Sequence, residues 1–226
     1  MVEGGALHPR RRAAPSSHEI LVVRALAITV DSPSRGSYDT PVRQGTRIAV
    51  FGRADLEPDS SGYLLAQELG RLLAEEGYVV VTGGYGGAME AACRGAAEAG
   101  GEAEGVVCRA FSGKTPNSFL TRVVWTDDLL ARTRTLVESV DAYVALDPRT
   151  GTLAEVVTVW ALYKAGQLDG RPLVLVGEGW KRLHSTFLET GIVERNLLEW
   201  SVCVSDPRQA LAVIESTADR ESASNG

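Results

Sequence analysis

The sequence predicts an α/β fold: a doubly wound, mainly parallel sheet of about seven strands with helices on both faces. Three observations predict it. Short β-branched runs recur along the chain, and segments with helical spacing of leucines separate them. The runs are also apolar throughout rather than alternating, as strands covered on both faces must be.

The chain divides before the first of these runs. HPRRRAAPSS (8–17), with Arg10, Arg11 and Arg12, precedes an apolar patch ILVVRALAITV (20–30) and a turn-rich DSPSRGSYDTPVRQG (31–45). A secretory signal needs an uninterrupted apolar segment behind the charges, and Glu19 and Arg24 break that pattern. Residues 1–45 therefore read as a poorly ordered extension carrying at most an edge strand, with His8 and His18 as solvated tail residues. From Arg47 onward strands are expected at 47–52, 78–84, 104–107, 122–125, 142–146, 172–177 and 201–204, each followed by a helix. YLLAQELGRLLAEEG (63–77) is the clearest helix, with Leu65, Leu69, Leu72 and Leu73 at helical spacing. The domain so defined runs over 46–217, and 218–226 is expected to be a flexible tail.

Composition excludes several function classes. The 226 residues carry 23 Lys+Arg against 29 Asp+Glu, a formal charge of −6, and no long basic run suited to gripping nucleic-acid phosphates. At 44% hydrophobic and 23% charged residues the chain is an ordinary globule, not a disordered one. Three cysteines without a CxxC pair and three histidines make neither a zinc framework nor a disulfide scaffold, so no metal is expected. Nothing is long and apolar enough to span a bilayer. A cytoplasmic protein with neither a membrane nor a nucleic-acid partner is the expectation.

In an open parallel sheet a ligand sits beyond the carboxyl ends of the strands, near a switch in strand order. Three junctions fall there: the segment beginning at Gly52 after the first strand, GGYGGAME (83–90) after the second, and DPRTGTLAE (147–155) after the fifth. Glycines at such turns let backbone N–H groups approach a phosphate, although plain turns use glycine too. The familiar fingerprints are missing. Met89 occupies the third glycine position of G-x-G-x-x-G, and Cys108 the glycine that a P-loop ending in Gly113-Lys114-Thr115 requires. No G-x-S-x-G elbow exists. A nicotinamide oxidoreductase, a P-loop ATPase and an α/β-hydrolase are thereby disfavoured. On spacing alone Thr152 and Glu155 read as a capping box at a helix start, and Arg132 as a solvated helix charge bordering Leu129, Leu130, Thr133, Leu136, Val137 and Val140.

Taken in order, VTGGYGGAMEAACRGAAEAGG, LARTRTLVESVDAYVAL and the GTLAE helix start resemble the LOG (Lonely Guy) family of nucleotide phosphoribohydrolases over about Arg47 to Val204. Arg132 stands nine residues before Asp141 and Glu155 fourteen after it, the spacing of that family's pattern. The resemblance implies a Rossmann-like nucleotide-binding domain with Arg132 and Glu155 as the catalytic pair. It puts Gly151 and Thr152 on the phosphate loop, with Thr150 and Arg149 beside them, and Gly83, Gly84, Gly87 and Met89 on the glycine-rich loop. The chain departs from the family in three places: Asp147-Pro148-Arg149 stands for P-G-G, Thr133 for the lysine after the arginine, and Glu90 for the glycine after the methionine.

The implied reaction is hydrolysis of the N-glycosidic bond of a nucleoside 5′-monophosphate, a plain adenine or a cytokinin-type nucleotide, to free base and ribose 5-phosphate, without a cofactor. Glu155, expected in the first turn of a helix, should stay ionised there because the dipole favours the anion. A non-catalytic nucleotide-binding or carrier protein on the same scaffold is the rival reading, and a scaffold with purely structural glycine turns the third. The segment 156–163, apolar nearly all round, suggests a homodimer interface, as the resemblance also does.

Overall fold

The computed structural model describes Met1 and residues 45–168 and 170–224. The arginine run, ILVVRALAITV, His8 and His18 lie outside the described residues. The seven expected strands are all present: β1 (Arg47–Phe51), β2 (Val79–Thr82), β3 (Ala103–Cys108), β4 (Arg122–Thr126), β5 (Ala142–Leu146), β6 (Leu173–Val176) and β7 (Ser201–Val204). They form one sheet in the order β4-β3-β2-β1-β5-β6-β7, with every neighbouring pair parallel.

Among the described residues seven helices accompany them: α1 (Ser61–Glu75), α2 (Ala88–Glu98), α3 (Leu129–Glu138), α4 (Thr150–Lys164), α5 (Glu178–Thr190), α6 (Arg195–Trp200) and α7 (Pro207–Ser224). Helix α7 thus reaches into the segment 218–226 that the sequence marks as a tail. Alternate strand residues explain the continuous apolar runs. Ile48, Val50, Val80, Val144 and Val174 pack with α1, α2 and α7 on one face, while Ala49, Phe51, Val81, Tyr143 and Leu173 pack with α3, α4, α5 and α6 on the other. Each fully buried Val, Leu, Ile or Phe contributes roughly 1.5–3 kcal/mol.

Local choices agree with this plan. Ser60 caps α1 by accepting from the Tyr63 N–H at 3.4 Å, and Leu69, Leu72 and Leu73 turn inward as their spacing predicts. Helices α1 and α2 approach closely because Gly70 and Gly95 lack side chains. A methyl on Gly70 would fall 2.0 Å from the Ala92 carbonyl, and one on Gly95 1.9 Å from that of Gln67.

The expectation that a helix follows every strand fails once. Residues 109–121, between β3 and β4, are a loop, long enough at a dozen or so residues to make a parallel crossover without a helix. This loop bends back over the sheet. The Asn117 N–H donates to the Gly84 carbonyl at 2.9 Å, and its side-chain amide donates to the Tyr85 carbonyl at 3.1 Å.

Strand order reverses between β1 and β5, whose following helices, α1 and α4, lie on opposite faces. The crevice beyond these carboxyl ends is where a ligand is expected. Among the described residues no helix is long and apolar enough to cross a membrane, and no cluster of three or more His, Cys, Asp and Glu is arranged to hold a metal.

Candidate active site

Helix α3 carries Arg132 to the carboxyl end of β3. Asp128 caps the helix by accepting from the Ala131 N–H at 2.8 Å, which fixes its start and hence the direction of Arg132. Arg132 is not the solvated charge that spacing suggested: only 6% of it is exposed, whereas Leu129 and Leu130, assigned to the apolar stripe, are 51% and 80% exposed. Leu136, Val137 and Val140 are buried as expected. The helix begins one residue before Leu130, so its first turn projects beyond the sheet while the next turns lie on it.

The Arg132 guanidinium is held from several sides. Its Nε donates to the Val106 carbonyl at 2.9 Å, and Nη2 lies 3.8 Å from the Met89 sulfur. Tyr85 and Phe111 face it with ring centroids 5.7 and 5.8 Å from Cζ. Gly83 closes the remaining side, since a methyl there would fall 1.7 Å from Nη2 and 2.6 Å from the Met89 sulfur. This loop therefore requires glycine for close approach at Gly83 and for backbone shape at Gly84 and Gly87, which have φ of +77° and +66°. Gly52 and Gly87 serve packing: a methyl on Gly52 would meet the Ala88 Cβ at 2.5 Å, and one on Gly87 the Arg53 carbonyl at 2.5 Å. They bring the start of α2 against the end of β1, where the Ala88 N–H donates to the Arg53 carbonyl at 2.9 Å.

Glu155 reaches the same place from α4. Its Oε1 stands 3.9 Å from Arg132 Nη1, and 14% of its side chain is exposed. Burial pushes its carboxyl up to about 7, and the Arg132 charge only partly opposes that rise. Two expectations are corrected here. Helix α4 begins at Thr150 with Arg149 as N-cap, so Glu155 is a full turn inside the helix and desolvation outweighs the dipole. Nor is there a capping box: Thr152 is helical and buried, its hydroxyl finds no hydrogen-bond partner among the described residues, and Glu155 points to Arg132 instead.

The start of α4 is open to a ligand. Arg149 is donor-only and makes no side-chain cap, so the first N–H groups of Thr150, Gly151 and Thr152 keep their unmet capacity. Arg149, Thr150 and Gly151 are exposed. The structure thus brings Gly83, Met89, Arg132 and Glu155 into one cluster and sets the Arg149–Thr152 turn at the head of the helix that bears Glu155.

Sequence reasoning missed several participants. Tyr85 lies inside the glycine loop, where its hydroxyl donates to the Cys108 carbonyl at 3.2 Å and accepts from the Cys108 N–H at 2.9 Å. Phe111 and Lys114 come from the β3–β4 loop, and Lys114 Nζ sits 5.6 and 5.5 Å from the Tyr85 and Phe111 centroids. Only the tyrosine among the glycines could have been noticed. Arg53 was also missed. Its guanidinium spans the β1–β5 crevice, 2.7 Å from Asp55 and 3.3 Å from Asp147, and holds the Asp55 carboxyl down at about 2. Asp147 itself has φ of +23°, a region that aspartate tolerates better than most residues.

Residues 45–182, which carry this whole arrangement up to the start of α5, match the SLOG cluster4 family (LDcluster4). The chain belongs to the SLOG cluster4 family. An uncharacterized protein of Archaeoglobus fulgidus is 34% identical to this SLOG cluster4 chain over 110 residues, 49% of this chain and 70% of that one. The cytokinin riboside 5′-monophosphate phosphoribohydrolase of Mycobacterium tuberculosis is 28% identical over 154 residues, 65% of this chain and 82% of that one. The solved structure of the molybdenum cofactor carrier protein from Chlamydomonas reinhardtii superposes with a TM-score of 0.59 at 27% identity, covering 76% of this chain and 98% of that one.

Proposed function

We propose that this SLOG cluster4 protein hydrolyses the N-glycosidic bond of a nucleoside 5′-monophosphate, releasing the base and ribose 5-phosphate. The observation that carries this reading is the buried Arg132–Glu155 pair, with a carboxyl poised near neutrality beside an arginine that keeps its proton. Similarity to the Mycobacterium tuberculosis phosphoribohydrolase supports it.

In this reading the 5′-phosphate lies at the open start of α4, on the N–H groups of Thr150, Gly151 and Thr152 and beside the Arg149 guanidinium. The buried Thr152 hydroxyl is an additional donor. Cleavage leaves positive charge on the ribose as the electron pair of the glycosidic bond moves to the base nitrogen. The Glu155 carboxylate stabilises that charge more in the transition state than in the ground state. It then accepts a proton from the water whose oxygen bonds to the anomeric carbon, the departing base takes up a proton from solvent, and loss of the Glu155 proton to solvent restores the carboxylate and closes the balance. Arg132 orients Glu155 and the ribose. Gly83 and Met89 act through Arg132, Gly83 by leaving room for its guanidinium and Met89 by packing its sulfur against it.

One feature favours a second reading. Asp147, Pro148 and Arg149 add bulk where the resembling enzymes have glycines, which suits a pocket that holds a ligand without turning it over, as in the carrier protein from Chlamydomonas reinhardtii. Incubation with the common nucleoside monophosphates separates the two. Released base identifies the hydrolase; a raised melting temperature without base release identifies the binder.

Assembly follows from the surface. Val156, Val159 and Trp160 of α4 are buried, but Val157 is 47% exposed between the exposed Ala154 and Ala161. With Leu129 and Leu130 exposed on the neighbouring α3, this apolar surface is assigned to a homodimer interface. Light scattering should give twice the chain mass; the monomer mass overturns the assignment.

A further inference from the structure

A cleft of about 350 Å³ opens beside the candidate active site, between the Asp147–Arg149 turn and one face of α5. Arg149 lines it from the turn, with Asp147 and Pro148, and Arg182 lines it from α5, with Gly179 and Leu183. Gly179 lets the turn approach α5 closely, since a methyl there would fall 2.9 Å from Pro148 Cδ. The volume is in the range of small-ligand pockets, roughly 300–1,000 Å³.

The charges around the cleft are unevenly matched. Each nearby carboxylate is already held by another cation: Asp55 and Asp147 by Arg53, and Glu178 by Lys181. Arg149 and Arg182 are in no ion pair among the described residues, and act on Asp55 and Glu178 only through space. Two guanidinium groups outside any ion pair among the described residues therefore line one concave surface, beside the Asp147 carboxylate that Arg53 holds, in a chain whose net charge is −6. The start of α4 reinforces this sign, having neither a side-chain cap nor an acidic residue in its first turn, whereas Glu178 stands in the first turn of α5.

Arg149 is shared between this cleft and the start of α4, where the 5′-phosphate is assigned. We infer that the cleft seats a second phosphoryl group, clamped between Arg149 and Arg182, so that beside the monophosphate this protein also binds nucleotides with more than one phosphoryl group, and binds them more tightly. The inference rests on the assignment of the 5′-phosphate to the start of α4. Guanidinium groups suit the role because each offers a planar, bidentate fork to phosphate oxygens.

Calorimetric titration of the full chain with adenosine 5′-monophosphate, adenosine 5′-diphosphate and inorganic pyrophosphate tests it. The wild type should bind the diphosphate at least about tenfold more tightly than the monophosphate. Arg182→Ala, an exposed position on a helix surface, should abolish that preference and weaken pyrophosphate binding while leaving the monophosphate affinity within about twofold. Equal affinity of the wild type for mono- and diphosphate overturns the inference, as does a diphosphate preference that survives in Arg182→Ala. So does an equal loss for all three ligands, which would make Arg182 part of the 5′-phosphate site. Base release from the monophosphate is measured on the same samples. A protein that releases no base but keeps an Arg182-dependent diphosphate preference refutes the hydrolase reading and leaves the second phosphoryl site standing.

Discussion

The two arginine-bearing regions at the carboxyl edge of the sheet differ in how the fold treats charge. Arg132 is 6% exposed, bonded to the Val106 carbonyl, flanked by Tyr85 and Phe111 and faced by Glu155. Arg149 and Arg182 line an open cleft and are in no ion pair among the described residues, the Asp147 carboxylate beside them being held by Arg53. Burial in the first region makes geometry rigid and moves a proton equilibrium, pushing Glu155 up to about 7. Exposure in the second leaves charge available for an incoming anion. Chemistry is thus assigned where charge is confined, and recognition where it is free.

The sharpest way to break this comparison is to titrate the confined carboxyl. The folded-state pKa of Glu155, about 7, lies above its ordinary value of 4.5. The stability it contributes is therefore fully present below about pH 4.5 and is lost as pH rises through about 7. The loss is on the order of 3 kcal/mol. Glu155→Gln should flatten the melting-temperature profile between these limits and exceed the wild type in stability above them. Parallel profiles would mean that Glu155 is not desolvated.

Gly83→Ala comes next. The new methyl must displace the Arg132 guanidinium, whose Nη2 it would meet at 1.7 Å. A shift of that kind costs roughly a hundredfold in turnover and about 1–3 kcal/mol of stability from overpacking. A variant with normal melting temperature and turnover would show that Arg132 is free to move.

The open region responds differently. Arg149→Ala should weaken nucleoside monophosphate binding by about 2 kcal/mol and leave the nucleoside unaffected, since the lost bond is to a charged group. Calorimetry with both ligands reads this directly, and equal losses would remove Arg149 from phosphate recognition. The smallest effect is expected at Gly151, where a methyl meets no atom within 4 Å. Gly151→Ala should change stability by less than about 1 kcal/mol, in the stabilising direction, because alanine is the better helix former. Strong destabilisation would mean that the start of α4 is more crowded than described.

The same contrast explains what could be read from the chain alone. The inner strands were legible because burial on both faces imposes continuous apolar runs such as Ala142–Leu146, whereas the edge strands β4 and β7, which leave Val123, Trp125 and Val202 exposed, were legible only from their β-branched residues. The glycine loop was legible from its place after the second strand, but the pairing of Arg132 with Glu155 was legible only through family spacing. Local pattern placed Arg132 in solvent and Glu155 in a capping box, because burial of a charge depends on the β2 and β3 loops distant in sequence. Phe111 and Lys114 lie in a connection with no periodicity to read. Arg182 shows nothing in sequence beyond an ordinary amphipathic helix, and only the cleft against Asp147–Arg149 gives it meaning.

Base release from nucleoside 5′-monophosphates by wild type and Glu155→Gln, with ligand-induced thermal shifts on both, tests the central claim most directly. The wild type should release base measurably and the variant more than about a hundredfold more slowly, with nucleotide binding kept within about tenfold. Release that continues undiminished in Glu155→Gln, or a wild type that binds monophosphates and never frees a base, contradicts it.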